Sequence, residues 1–240
     1  MTSGYPNAVI LRDINLDIKH SEIITIIGGS GSGKSTLLKT IMRFCTIFSG
    51  ELHIDNERVD RYSESALQHV RQKMGMVFQG AALFDSMTVF ENVAFPLIEK
   101  RSFPRKVVNE KVMEVLSQLK MEDAKSVFPG ELSGGMQKRV GLARALVEKP
   151  MIILYDEPTS GLDPVMSKNV NEMIYAARED FGVTSVVVSH DMASVFTISD
   201  RISAIFGRSI VQTGTPDDIR NSDVKEVQEF IHAVKNLERK

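Results

Sequence analysis

Gly28-Gly29-Ser30-Gly31-Ser32-Gly33-Lys34-Ser35-Thr36 is the stretch of this chain best equipped for chemistry, and that chemistry is polyphosphate binding. A glycine, four residues, then Gly33, Lys34 and Ser35 is the spacing of a loop that wraps phosphates in backbone N–H groups. Glycines permit positive φ and a close approach of backbone to ligand. Lys34 supplies a point charge for the β- and γ-phosphates, and Ser35 offers its hydroxyl to Mg2+. At average composition a chain of this length matches the pattern by accident about 1% of the time.

Further residues add to this chemistry. Ile152-Ile153-Leu154-Tyr155 is an apolar run that ends in Asp156-Glu157. Carboxylates at the C-terminal end of a central parallel strand face the crevice where α/β sheets bind ligands. Asp156 is placed to join the Mg2+ shell, and Glu157 to polarise a water for attack on a γ-phosphate. Leu132-Ser133-Gly134-Gly135-Met136-Gln137 is a second anion site: Ser133 caps a helix, and Gly134 and Gly135 expose its first N–H groups. One triphosphate does not need two such sites. Two copies arranged head to tail use both, each nucleotide lying between one copy's loop and the other's Ser133 region. His190, in Val188-Ser189-His190-Asp191, follows an apolar run and can donate a hydrogen bond to an oxyanion. His20, His53, His69 and His232 have no such surroundings.

The elements that must hold these residues alternate along the chain. Ile14, Leu16 and Ile18 alternate with polar residues, which predicts a half-buried strand. Ile23 to Ile27 reads as a buried strand, and Leu37, Leu38, Ile41, Met42 and Cys45 keep helical spacing behind the glycine loop. Strands are expected at 51–54, with a turn at Asp55-Asn56, and at 74–78, ending at Gln79. From there to about residue 148 helical spacing dominates, punctuated by Pro96, Pro104 and Pro129-Gly130. Strands at 151–154, 183–188, 203–206 and 210–211, a helix through Met166 to Ala177, and a terminal helix through Val224, Val227, Ile231 and Val234 complete the pattern. The expected fold is α/β, with a mainly parallel sheet and an inserted helical part. The predicted divisions are 1–82 and 149–220 for the core, 83–148 for the helical part and 221–240 for a C-terminal helix, all within one domain.

Composition excludes several classes. The chain has 29 basic against 31 acidic residues, which leaves no electrostatic footprint for nucleic acid. Its single cysteine, Cys45, makes no internal disulfide and suits a reducing compartment. No apolar run approaches membrane-spanning length, and the N-terminus does not read as a signal peptide. The expected location is cytoplasmic, with any action at a membrane exerted through a partner.

Taken together, GGSGSGKST, LSGG and IILYDEP resemble the ATP-binding subunits of ABC transporters along essentially the whole chain. The resemblance implies a P-loop ATPase of ABC type that binds ATP and Mg2+ and works on the inner face of the cell membrane. Its partners would be a second copy of itself in a head-to-tail nucleotide sandwich and a separate membrane permease. It implies that Gln79 contacts Mg2+ and water, that Asp156 and Glu157 are the magnesium aspartate and catalytic glutamate, and that His190 is a switch contacting the γ-phosphate. Ser160-Gly161-Leu162-Asp163 would communicate across the dimer, and Tyr5 would stack on adenine. The resemblance also implies an N-terminal antiparallel β part; the family has a further strand before that aromatic, whereas only Met1 to Gly4 precede it here, so this antiparallel sheet is expected to be a strand short. Met136 stands where glutamine is common, which leaves the backbone-built anion site intact.

Within the family, Phe78 to Val89, Gly182 to Asp191 and Glu226 to Ile231 look most like ATPases of Mla/Mce-type phospholipid transport systems. The alternative is an importer of polar amino acids or another small solute. An ABC-type ATPase of DNA maintenance or translation would carry a long coiled-coil or zinc insertion, or two ATPase copies in one chain. A regulatory, non-hydrolysing module would not need Glu157, Gln79 and His190 together. The apolar loop Gly80 to Phe95 is expected to expose Leu83, Phe84 and Met87 to a short permease helix, while Val89 and Phe90 pack inward.

Overall fold

A computed structural model describes residues 1–99 and 103–237. The chain opens with a hairpin of β1 (Thr2–Tyr5) and β2 (Ala8–Leu11), then reaches β3 (Ile23–Ile27), whose five residues are all buried. The glycine loop leads directly into α1 (Lys34–Ile41), and β4 (Thr46–Ser49) returns to pair with β1. β5 (His53–Ile54) and β6 (Glu57–Arg58) close a tight hairpin at Asp55-Asn56, both in left-handed conformation. Then come α2 (Glu64–Gln72), capped by Ser63, and β7 (Met74–Val77).

A helical run follows, of α3 (Val89–Glu99), α4 (Arg105–Gln118) and α5 (Gly134–Leu146). The chain then alternates through β8 (Ile152–Asp156), α6 (Pro164–Phe181), β9 (Thr184–Val188), α7 (Met192–Ile198) and β10 (Arg201–Phe206). It closes with β11 (Ser209–Gly214), α8 (Pro216–Arg220) and α9 (Lys225–Leu237).

The main sheet has the order β11-β10-β3-β9-β8-β7, parallel throughout except for the β10–β11 edge pair. Both of its faces are covered, which explains the unbroken apolar runs. Ile153, Tyr155 and Val187 point into one core with α3 to α6, whereas Leu154, Val186 and Val188 point into another with α1 and α2. A third cluster seats α7, α8 and α9 against Ile27, Ile202 and Ala204. The α/β class with a mainly parallel sheet and an antiparallel N-terminal part is as expected from the sequence.

Some expectations fail. Residues 14–18 keep their alternating burial, but they join no ladder; the segment is extended and lines a cavity of about 640 Å3 with Leu37, Ile41, Leu52 and Val186. Ile14 exchanges backbone hydrogen bonds with Met1, just before β1, at 2.8 Å each way, but alternation reports which side chains face inward and does not extend that pair into a ladder. The short lead of Met1 to Gly4, expected to leave the N-terminal sheet a strand short, itself supplies most of a strand, since β1 runs Thr2–Tyr5 as the middle of a three-stranded sheet β2-β1-β4. Gly80 to Phe95 is not all loop, since α3 begins at Val89, and Pro96 lies inside that helix rather than ending it. Proline forfeits one backbone bond, and the buried positions Val89, Val93 and Leu97 hold the helix through that loss.

Candidate functional site

The parallel strands β3, β9, β8 and β7 end on the same edge. Ile26 pairs with Val188 and Val188 with Asp156, so the glycine loop, His190 and the Asp156-Glu157 pair emerge side by side. The loop's shape depends on missing side chains. Gly28 has φ 150°, and a Cβ there would stand 2.2 Å from the Ile205 carbonyl oxygen. Gly33 has φ 105°, and its Cβ would strike Leu11 of β2 at 2.6 Å. Gly31 is also left-handed, at φ 75°. Gly28→Ala is expected to destabilise the fold by about 3 kcal/mol, which lowers the melting temperature by about 6–12 °C. Calorimetry showing an unchanged melting temperature would refute this account of the loop.

Lys34 is 9% exposed. Its Nζ donates to the carbonyls of Gly28 at 2.8 Å and Gly29 at 3.1 Å. Burial pushes its pKa down, opposed by the nearby carboxylates of Glu157 and Asp156. Ser35 Oγ donates to Asp156 Oδ1 at 2.9 Å, joining α1 to the end of β8. Among the described residues no three His, Cys, Asp or Glu side chains gather into a metal cluster. Ser35 and Asp156 offer instead one hydroxyl and one carboxylate, a sparse oxygen set that fits Mg2+, which keeps waters and takes phosphate oxygens.

Glu157 follows β8 in left-handed conformation, φ 52°, with its N–H donating to the Val188 carbonyl at 2.9 Å. A non-glycine residue bears that conformation at a cost, and such strain gathers at functional sites. The turn brings Glu157 Oε2 to 2.7 Å from His190 Nδ1 and 3.3 Å from His190 N. An ionised carboxylate only accepts, so Nδ1 carries the proton and Nε2 is left for another partner. Asp191 caps α7 through Ser194 N, which fixes the chain just after His190.

Gln79 is exposed, and its Nε2 donates to Ser160 Oγ at 3.0 Å. It is therefore tied to the Ser160-Gly161-Leu162-Asp163 loop and not to Ser35 or Asp156. That loop ends where Asp163 caps α6 by accepting from Val165 N and Met166 N, both at 2.9 Å. Ser133 caps α5 by accepting from Met136 N, as expected from the sequence. Gly134 is exposed, and Gly135 is buried where a Cβ would strike Met166. Ser133, Gly134 and Gly135 enter none of the side-chain bonds made by Lys34, Ser35, Asp156, Glu157 and His190. Ser30, Ser32 and Thr36 lie on the loop and the first turn of α1. Tyr5 stands at the tip of the β1–β2 hairpin, 43% exposed.

Sequence reasoning missed Lys138, which is buried on the inner face of α5 and donates to the carbonyl of Gln79. The signal was its register: Lys138 lies in phase with Gly135, Leu142 and Leu146, the apolar stripe of that helix.

A family model described as ABC transporter matches residues 11–160. The chain is 41% identical over 207 residues to the methionine import ATP-binding protein MetN of Carboxydothermus hydrogenoformans, covering 86% of this chain but only 61% of that relative. It thus spans less than two thirds of that relative's length. It is 37% identical over 223 residues to the intermembrane phospholipid transport system ATP-binding protein MlaF of Haemophilus influenzae, covering 93% of this chain and 84% of that one. Among solved structures, cbiO1 from Clostridium perfringens, part of the ABC transporter complex cbiONQ, has a TM-score of 0.86 at 28% identity, over 97% of this chain and 92% of that one. The ATP-binding cassette MJ0796, solved as a dimer in a post-hydrolysis state with ADP and Pi, has a TM-score of 0.78 at 33% identity, over 90% and 95%. The family match runs from β2 through the glycine loop to the turn after Glu157, the stretch that builds most of the site, and the chain belongs to the ABC transporter family.

Proposed function

We propose that this chain binds and hydrolyses ATP to drive a separate membrane permease, and that the cargo is phospholipid. The observation that carries the ATPase reading is the joined set Lys34, Ser35–Asp156 and Glu157–His190 at the ends of neighbouring parallel strands. The N–H groups of Gly28 to Thr36 bind the phosphates, and Lys34 exchanges its loop carbonyls for phosphate oxygens. Ser35, Asp156 and Gln79 would hold Mg2+, which would supply neutralisation of the phosphate charge. Glu157 accepts a proton from the attacking water, and His190 donates to the γ-phosphate. Tyr5 stacks on adenine.

Ser133, Gly134 and Gly135 serve the nucleotide of a second copy, in a head-to-tail dimer. Their absence from the network around Lys34 supports that division of labour. The units we infer are 1–82 and 149–220 as nucleotide-binding core, 83–148 as the helical part facing the permease and a terminal unit from 221 that carries α9 (Lys225–Leu237), its last three positions lying outside the described residues. Among the described residues no helix is long and apolar enough to cross a membrane, so the membrane step falls to the partner.

The phospholipid reading rests on the resemblance of residues 78–89, 182–191 and 226–231 to Mla/Mce-type ATPases, and on the similarity to MlaF over 93% of this chain. A methionine or other small-solute importer is the second reading, favoured by the 41% identity to MetN. The permease is expected to dock at Phe84, which is 40% exposed and lies tilted by 49° against Phe95 at 4.7 Å between ring centroids. Leu83 packs partly into the core beside it. Phe84→Asp is expected to leave basal ATPase unchanged and to abolish co-purification with the permease. The decisive assay reconstitutes the pair in vesicles and follows ATP-dependent movement of a labelled phospholipid beside uptake of labelled methionine. Methionine uptake without lipid movement would overturn the cargo assignment, and an intact Phe84→Asp complex would overturn the docking site.

A further inference from the structure

The loop after β7 is held from outside the sheet. Lys138 is 7% exposed, and its Nζ donates to the Gln79 carbonyl. Arg144, two turns on along α5, donates from Nη2 to the Ala81 carbonyl and from Nη1 to the Ala82 carbonyl, both at 2.7 Å. Between them Gly141 lets the loop approach closely, for a Cβ there would lie 3.2 Å from Ala81 Cβ. α3 completes the grip. The buried Asn92 accepts from Phe84 N at 2.8 Å and donates to the Phe84 carbonyl at 3.1 Å.

What is gripped would not hold this shape alone. Ala81 and Ala82 are successive non-glycine residues with φ 58° and 48°. Asp55 and Asn56 share that region in a hairpin turn because a short polar side chain tolerates it, but alanine has no such side chain and bears the conformation at a cost, so two alanines in a row call for a restraint from elsewhere. A planar guanidinium can take two neighbouring carbonyls at once, which an ammonium cannot. Burial pushes the pKa of both Lys138 and Arg144 down, as expected of cations withdrawn from water to bond carbonyls.

We propose that Arg144, seconded by Lys138, is a positioning residue that fastens the backbone of Gln79 to Ala82 onto α5, so that Gln79 moves with the helix whose first turn carries Ser133, Gly134 and Gly135. This rests on the reading of Gln79 as a participant in ATP turnover. Arrival of a second copy's nucleotide at the start of α5 then repositions Gln79 in its own site.

The test compares wild type with Arg144→Met and Arg144→Lys by amide hydrogen exchange without nucleotide, and by steady-state ATPase kinetics. In Arg144→Met, amides 80–84 should exchange about 10-fold faster while β7 and α5 stay protected. kcat should fall about 10-fold with Mg-ATP affinity within about 2-fold of wild type, the signature of a displaced group rather than a lost binding site. Arg144→Lys should fall between the two, because one ammonium reaches one carbonyl. It also supplies the answer should the methionine variant fail to fold. Unchanged exchange at 80–84, unchanged kcat, or a loss matched in Mg-ATP affinity would overturn the proposal. The exchange measurement needs no turnover, so a wild type that fails to hydrolyse ATP would defeat the ATPase reading while the clamp is still judged on its own.

Discussion

Lys34→Ala is expected to abolish ATP turnover, lowering kcat/KM by at least about 10²–10³-fold at saturating Mg2+. Among the described residues the ammonium is the one buried cation at the glycine loop, held by the Gly28 and Gly29 carbonyls at 2.8 and 3.1 Å. In so dry a position a fixed charge acts on phosphate oxygens far more strongly than it would in water. The fold itself is not expected to suffer. Burial lowers the pKa of Lys34, so the charged form costs stability below that lowered pKa, and the cost fades as pH rises through it towards the ordinary lysine value. Alanine removes that cost at neutral pH. The check is an ATPase assay beside a thermal melt, and near-wild-type rates would refute the assignment of the loop.

Glu157→Gln separates binding from hydrolysis. Hydrolysis is expected to fall by about 10²–10⁴-fold, because an amide cannot accept the proton of the attacking water. Geometry should persist, since the glutamine carbonyl oxygen can still accept from His190 Nδ1 and N, which lie 2.7 and 3.3 Å from Glu157 Oε2. ATP therefore still binds, and the two-copy sandwich, no longer broken by hydrolysis, accumulates. Size-exclusion chromatography with ATP should show the mutant at twice the monomer mass. A mutant that hydrolyses normally, or one that never dimerises even beside its permease, would count against the head-to-tail arrangement.

Features set by neighbouring residues were legible from sequence. The glycine loop needs only a strand, tight turns and a helix start in succession, and Gly28 to Ile41 supplies them in order. Ser133 capping α5 is equally local, because a cap bonds N–H groups two or three residues on. Long-range pairings were not legible in the same way. β1 pairs with β4 across more than forty residues, and nothing in Thr2–Tyr5 names its partner. Residues 14–18 carry a strand's alternation and have no ladder, while Pro96 sits within a helix that its buried face sustains.

By itself, then, the sequence determined which residues could bind phosphate, carry a hard cation or move a proton, because composition and spacing set that chemistry. It also determined the alternation of strand and helix, because the apolar period follows each element's own geometry. Only the tertiary structure decided that residues 34, 35, 156, 157 and 190 meet, since that depends on β3, β9 and β8 lying side by side. It alone turned Glu157 into the left-handed region and onto His190, and it alone placed Lys138 and Arg144 over the carbonyls of the loop after β7. A side chain reaching a backbone carbonyl some sixty positions away leaves no periodic trace, because the carbonyl it meets is common to every residue type.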